Sequence, residues 1–111
     1  MAKYILEIVK YDAKKMAAIN LKFSEKSLEI LEHRGMTVSF YDRRKEPKKI
    51  KMIEGMTIPW GVKEALRRVR KPPDAIYHRG DVGKEPMIVV FGEQAFNLAK
   101  LATELAKELE T

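Results

Sequence analysis

The chain is 111 residues long, 45% hydrophobic and 34% charged, with a formal net charge of +6 and an isoelectric point near 9.6. It is the length of a single domain, 1–111, that buries roughly 60–70% of its unfolded surface in one modest core and gains from self-association. It contains no cysteine, which excludes disulfides, thiolate catalysis and cysteine-ligated metals. No apolar run approaches the roughly 20 residues of a membrane span. The opening "MAKYILEIVKYD" is too short in its apolar stretch for a signal peptide and carries Glu7 within it, so a cytoplasmic location with no membrane partner is expected. The basic balance suits phosphorylated ligands or nucleic acid, and the Lys/Arg/Glu-rich profile is one seen in thermophile proteins.

In chain order, "KYILEIVK" has apolar residues at 4, 5, 6, 8 and 9 and reads as a short helix. Residues 17–23, "AAINLKF", alternate Ile19, Leu21 and Phe23 as a half-buried strand does. "SEKSLEILEHRG" (24–35) reads as a helix capped by Ser24, with Leu28 and Leu31 as its apolar stripe and Gly35 placed for the C-terminal positive φ. "MTVSFYD" (36–42) is a predicted strand. Residues 43–61 are the least regular, holding two of the five prolines, two of the six glycines and the sole tryptophan. "VKEALRRVRK" (62–71) predicts a helix stopped by Pro72 and Pro73, and "DAIYH" and "PMIVVFG" predict two strands. The last element, 93–110, is an amphipathic helix with Phe96, Leu98, Ala99, Leu101, Ala102, Leu105 and Leu109 on its apolar face. About four strands and three or four helices in this order make one α/β unit.

Several stretches carry candidate chemistry. "RGDVGKEP" places Gly80, Asp81, Gly83, Lys84 and Glu85 between two predicted strands. The glycines are too close for a P-loop and a strand follows instead of a helix, yet the loop can form a backbone anion nest with Lys84 adding charge. The plain alternative is a β-turn with solvated charges, which the residue types favour. "YDRRKEP" offers Asp42, Arg43 and Glu46; from Arg43 to Lys51 six of nine residues are basic. Arginine's planar fork suits phosphate or carboxylate, and a solvated loop is an equal reading. With Lys63, Arg67, Arg68, Arg70 and Lys71 the same charges could form a nucleic-acid patch, but no aromatic residue is interleaved with them as a stacking platform. Trp60, between Pro59 and Gly61, could stack on a heterocycle or anchor its loop to the core. Asn20 is a polar outlier in an apolar strand, able to cap backbone or face a ligand. His33 and His78 have no metal-ligand spacing, and no catalytic side chain is assignable.

Taken together, "AAINLKFSEKSLEILEHRG", "FYDRRKEP", "EGMTIPWGVKEAL" and "PDAIYHRGDVGKEPMIVVFG" resemble the C-terminal portion of the ThiN-type thiamine-phosphate synthase domain, in order and in spacing over nearly the whole chain. The resemblance implies a three-layer α/β/α domain with a mixed sheet. It implies binding of thiamine phosphate or of the pyrimidine and thiazole precursors that condense to it with release of pyrophosphate. Magnesium is the companion a diphosphate substrate would bring. The same domain joined to a helix-turn-helix acts as a thiamine-phosphate sensor, and a non-catalytic binding or sensor module is the alternative reading; a nucleic-acid-binding module ranks below both. The family's N-terminal glycine–arginine segment and histidine-bearing helix have no counterpart here. Ligand binding with little turnover is therefore expected, along with an uncovered sheet edge and a homo-oligomer.

Overall fold

A computed structural model describes residues 2–53, 55–81 and 83–110. The elements are α1 (Ala2–Ile8), β1 (Ala17–Lys22), α2 (Glu25–His33), β2 (Val38–Phe40), a 3₁₀ turn (Arg43–Lys45), α3 (Lys48–Met52), α4 (Thr57–Leu66), β3 (Ala75–His78), β4 (Met87–Gly92) and α5 (Ala95–Leu109). The four strands form one mixed sheet in the order β1-β4-β3-β2. β4 runs antiparallel to both neighbours, and β2 lies parallel to β3 with Val38 opposite Ala75 and Phe40 opposite Tyr77.

Strand alternation divides the interior into two cores. On one face Ile76, Val89 and Phe91 pack with Tyr4 and Ile8 of α1 and Val62 and Ala65 of α4. On the other, Ala75, Ile88 and Val90 pack with Leu28 and Leu31 of α2 and Leu98 of α5. Helices thus cover both faces of a mixed sheet, the three-layer α/β/α arrangement expected.

The helix capped by Ser24 is α2, whose first turn donates from Ser27 N–H to the Ser24 hydroxyl at 3.0 Å. Gly35 follows it at φ 81°. Elsewhere the expectations need correction. The strand foreseen over 36–42 narrows to β2, three residues long, because Tyr41 onward turns into the 3₁₀ segment. The helix foreseen over 62–71 is shifted: α4 starts at Thr57 and ends at Leu66, well short of Pro72. The shift has a packing cause. Pro59 lies in the first helical turn, where its missing N–H costs nothing. Gly61 lies under the Tyr41 ring, where a Cβ would come within 2.6 Å of Tyr41 Cζ. The "PWG" that reads as loop chemistry is a helix start shaped to receive a tyrosine. Within α5, Phe96 is 76% exposed and Ala99 is also outside the core; Leu98 and Leu105 carry its buried stripe.

Candidate functional site

The carboxyl ends of the parallel strands β2 and β3 lie side by side, and the chain leaves them through Tyr41-Asp42-Arg43 and Arg79-Gly80-Asp81. Crevices outside such strand ends are where open α/β sheets hold ligands. On the α1/α4 face two cavities meet here. One, of about 310 Å³, is walled by Tyr4, Tyr41, His78 and Met87 and rimmed by Lys3. The other, of about 260 Å³, is lined by Arg43, Glu46, Lys51, Thr57, Asp81 and Lys84. Arg43 and Thr57 line both and so stand between them. Thr57 is the first residue of α4, and no side chain among the described residues caps that helix start. Because Thr57 lines both cavities, the amino-terminal end of the helix, where its dipole is positive, adjoins the same space.

The polar groups of this region are unusual for a core. Tyr4 and Tyr41 share a buried hydroxyl–hydroxyl bond of 2.6 Å. Burial pushes both phenols above their ordinary range, Tyr41 the further of the two, so both are neutral. His78 is 2% exposed. Its Nδ1 accepts the Gly80 N–H at 3.0 Å, which leaves Nε2 as the proton-bearing nitrogen. Burial, seconded by the Arg43 charge, lowers its pKa to about 4, so it presents a neutral donor at physiological pH. Glu46 is 6% exposed. Its Oε2 and the Nε of Arg43 are fully buried without a hydrogen-bond partner among the described residues. Each such orphan costs about 1–3 kcal/mol unless water, an ion or a ligand completes it.

The glycine loop is a tight turn. Asp81 and Lys84 exchange two backbone bonds, 3.2 Å from Asp81 N–H to Lys84 O and 2.8 Å in return. Gly80 and Gly83 both have positive φ, 82° and 72°. At Gly80 a Cβ would lie 2.4 Å from the Lys84 carbonyl, so this glycine is required sterically as well as conformationally. The turn is both the plain β-turn and the placement of Lys84 and Asp81 on the cavity. Asp81 meets Lys51 at 3.2 Å.

Of the residues singled out in the sequence, Arg43, Glu46, Asp81 and Lys84 come together in one cavity. Gly80 closes the base of the turn, while Gly83 and Glu85 lie exposed along it. Asp42 caps the 3₁₀ turn instead, accepting from Arg44 N–H at 2.9 Å, and the Arg44 guanidinium holds its carboxyl below the usual range. Trp60 packs edge-on to Tyr41, ring centroids 5.9 Å apart, against the α1/α4 core, which is the anchoring reading. Asn20 is exposed on β1 opposite Val89 and lines none of these cavities. Sequence reasoning missed Tyr4, Tyr41, Thr57 and His78 as wall residues. Their types are ordinary core types, and only the fold brings four separate segments to one point.

Among the described residues no three imidazole or carboxylate groups gather as a metal cage. Magnesium arriving with a diphosphate needs only one or two protein carboxylates, and among the described residues Glu46 and Asp81 line the cavity. No helix among the described residues is long and apolar enough to cross a membrane.

A mixed four-stranded sheet covered by helices on both faces, with a cationic, partly unsatisfied crevice at its parallel strand ends, defines an α/β domain. The family described as thiamine-phosphate synthase ThiN matches residues 1–104, and the chain belongs to that family. Thiamine-phosphate synthase ThiN of Methanothermobacter thermautotrophicus is 44% identical over 111 residues, which are 100% of this chain and 58% of that protein. The bifunctional thiamine biosynthesis protein ThiDN of Methanocaldococcus jannaschii is 34% identical over the same length, 25% of its own. The crystal structure of the C-terminal domain of phosphomethylpyrimidine kinase superposes with a TM-score of 0.80 at 45% identity, covering 97% of this chain and 59% of that one. The chain therefore spans less than two thirds of each of these relatives.

Proposed function

We propose that this ThiN-type domain binds thiamine phosphate, or its phosphorylated pyrimidine and thiazole precursors, in the paired cavities beside Arg43. The observation that carries the reading is the pair of buried, unpartnered atoms, Arg43 Nε and Glu46 Oε2, in a space also reached by Lys84 and the α4 amino terminus. Arg43 and Lys84 are the phosphate partners, each able to add a charge-assisted hydrogen bond. Glu46 accepts from a donor on the ligand. His78, neutral, offers Nε2–H to the adjoining cavity.

Condensation of a pyrimidine diphosphate with a thiazole phosphate needs a stabilised leaving group and aligned partners more than a protein nucleophile. Arg43, Lys84 and the helix dipole supply part of that. The isolated chain is accordingly proposed to bind and to turn over slowly or not at all. Titration of the purified chain with thiamine phosphate tests the first half. Incubation with both precursors and magnesium tests the second, where robust product formation would overturn it. Self-association is proposed as well: β1 is an edge strand, and Leu6 and Met16 are 62% and 68% exposed. A monomeric mass by light scattering at micromolar concentration counts against it.

A further inference from the structure

On the opposite face of the sheet, at the same strand ends, the fold assembles what the sequence hides. Phe40 of β2 and Tyr77 of β3 stack, centroids 5.5 Å apart and planes 30° from parallel. Phe23 joins Tyr77 at 5.8 Å. Arginines from two distant segments lie on these rings: the Arg68 guanidinium carbon is 4.3 Å from the Phe40 centroid, and that of Arg79 is 5.1 Å from Phe23 and 5.7 Å from Tyr77. The expectation that no aromatic is interleaved with the basic residues is thereby corrected. The interleaving is across strands and not along the chain.

This platform opens into a cavity of about 450 Å³, larger than either on the other face, with Arg44, Arg79 and Gly80 at its rim. The plain reading is that the arginine stems simply roof a sheet end. It accounts for the contacts of Arg68 and Arg79. It does not account for Phe40, still 39% exposed, at a surface cavity that Tyr77, Arg44 and Arg79 also line. The volume falls within the roughly 300–1,000 Å³ of small-molecule sites. Arg79 pairs with Glu25 and Arg44 with Asp42, exposed ion pairs whose guanidinium groups a phosphate would share or take over.

We propose that this cavity is a second binding site, separate from the Arg43 crevice, for a planar heterocycle carrying a phosphate: a nucleotide, free or within a single strand. The ring stacks on Phe40 and Tyr77, and the phosphate meets Arg79 and Arg44. An aromatic face accepts any base, and the arginine fork matches phosphate.

The test uses uridine 5′-monophosphate and a single-stranded oligouridylate as probes on the full chain, at two salt concentrations. Both should bind, with Phe40→Ala weakening them roughly 5- to 100-fold and Arg79→Gln by a comparable factor. Phe40→Leu, which keeps the apolar bulk, should lose affinity while retaining the native melting temperature; this separates stacking from folding. Lys84→Ala, which removes a phosphate partner of the Arg43 crevice, should lower thiamine-phosphate affinity while the Phe40-dependent part of probe binding persists, so failure here is distinct from failure of the thiamine-phosphate site. Equal affinities for the two probes identify a free nucleotide as the source. A tighter, salt-sensitive oligomer identifies a strand. If neither probe binds the native chain, or if Phe40→Leu and Arg79→Gln bind as the native chain does, the proposal is overturned.

Discussion

The two faces of one four-stranded sheet solve different problems. Against α2 and α5 the sheet packs aliphatic residues, Ile88, Val90, Leu28, Leu31 and Leu98, and holds the helices together at the surface with Arg34, which reaches Glu104 and Glu108. Against α1 and α4 it buries hydroxyls, an imidazole and a carboxylate: Tyr4, Tyr41, His78 and Glu46. Ser39, on this face too, donates to the Ala65 carbonyl at 2.7 Å. Polar groups in a core raise the cost of every unmade hydrogen bond. Their concentration at the carboxyl ends of β2 and β3 is what the proposed thiamine-phosphate site would use, whereas on the α2/α5 side Ser27 is the buried polar side chain among the described residues.

This contrast can be broken most forcefully in the aliphatic core. Leu31 is wholly buried, and Leu31→Ala should cost about 2–5 kcal/mol of unfolding free energy by chemical denaturation. Thiamine-phosphate affinity of the folded fraction should not change. A variant that folds as well as the native chain but loses ligand would invert the assignment of the two faces.

Next come the two glycines of the turn. Gly80→Ala adds a Cβ against the Lys84 carbonyl in a left-handed conformation, and should destabilise by about 1–3 kcal/mol while moving Lys84 off the cavity. Gly83→Ala meets no atom within 4 Å and should cost only the conformational term, about 1 kcal/mol. Equal penalties at the two positions would show that the turn is not packed as described.

The buried imidazole makes the polar face sensitive to acid. The folded-state pKa of His78 lies near 4, below its ordinary 6.5. The unfolded chain therefore binds the extra proton first as pH falls. The stability associated with neutral His78 is complete above about pH 6.5 and is lost between 6.5 and 4. Melting temperatures across that window should fall in the native chain and fall less in His78→Gln, which can still accept the Gly80 N–H. Parallel curves would remove His78 from the account. The smallest effect belongs to Arg34→Ala at the surface of the aliphatic side, about 0.2–1 kcal/mol and reduced by salt.

The sequence was informative where the signal is local. The Ser24 cap, the Gly35 terminator, the alternation in β1 and the long amphipathic α5 all follow from spacing and side-chain chemistry. It misled where a tertiary contact decides. "IPWG" looks like loop punctuation until Tyr41 is seen against Gly61, and the helix therefore begins five residues before the expected start. Phe96 satisfies the helical period yet points outward. In the candidate site, Arg43, Glu46, Asp81 and Lys84 were legible as charged loop residues, and the fold joins them. His78 and Tyr41 were not, because a core histidine and tyrosine have the same appearance in sequence whether or not a cavity lies beside them. Asn20 stood out as a polar residue in a strand, and its exposed edge position explains its polarity with no ligand at all.

The Arg43 crevice is the proposed seat of a phosphorylated ligand, and isothermal titration with thiamine phosphate puts that to the test. The native chain should bind, and Arg43→Ala and Lys84→Ala should each lose roughly 1.5–3 kcal/mol of binding free energy, the range of a charge-assisted hydrogen bond, with melting temperatures close to native. Absence of binding to the native chain, or native affinity in both variants, would contradict the account.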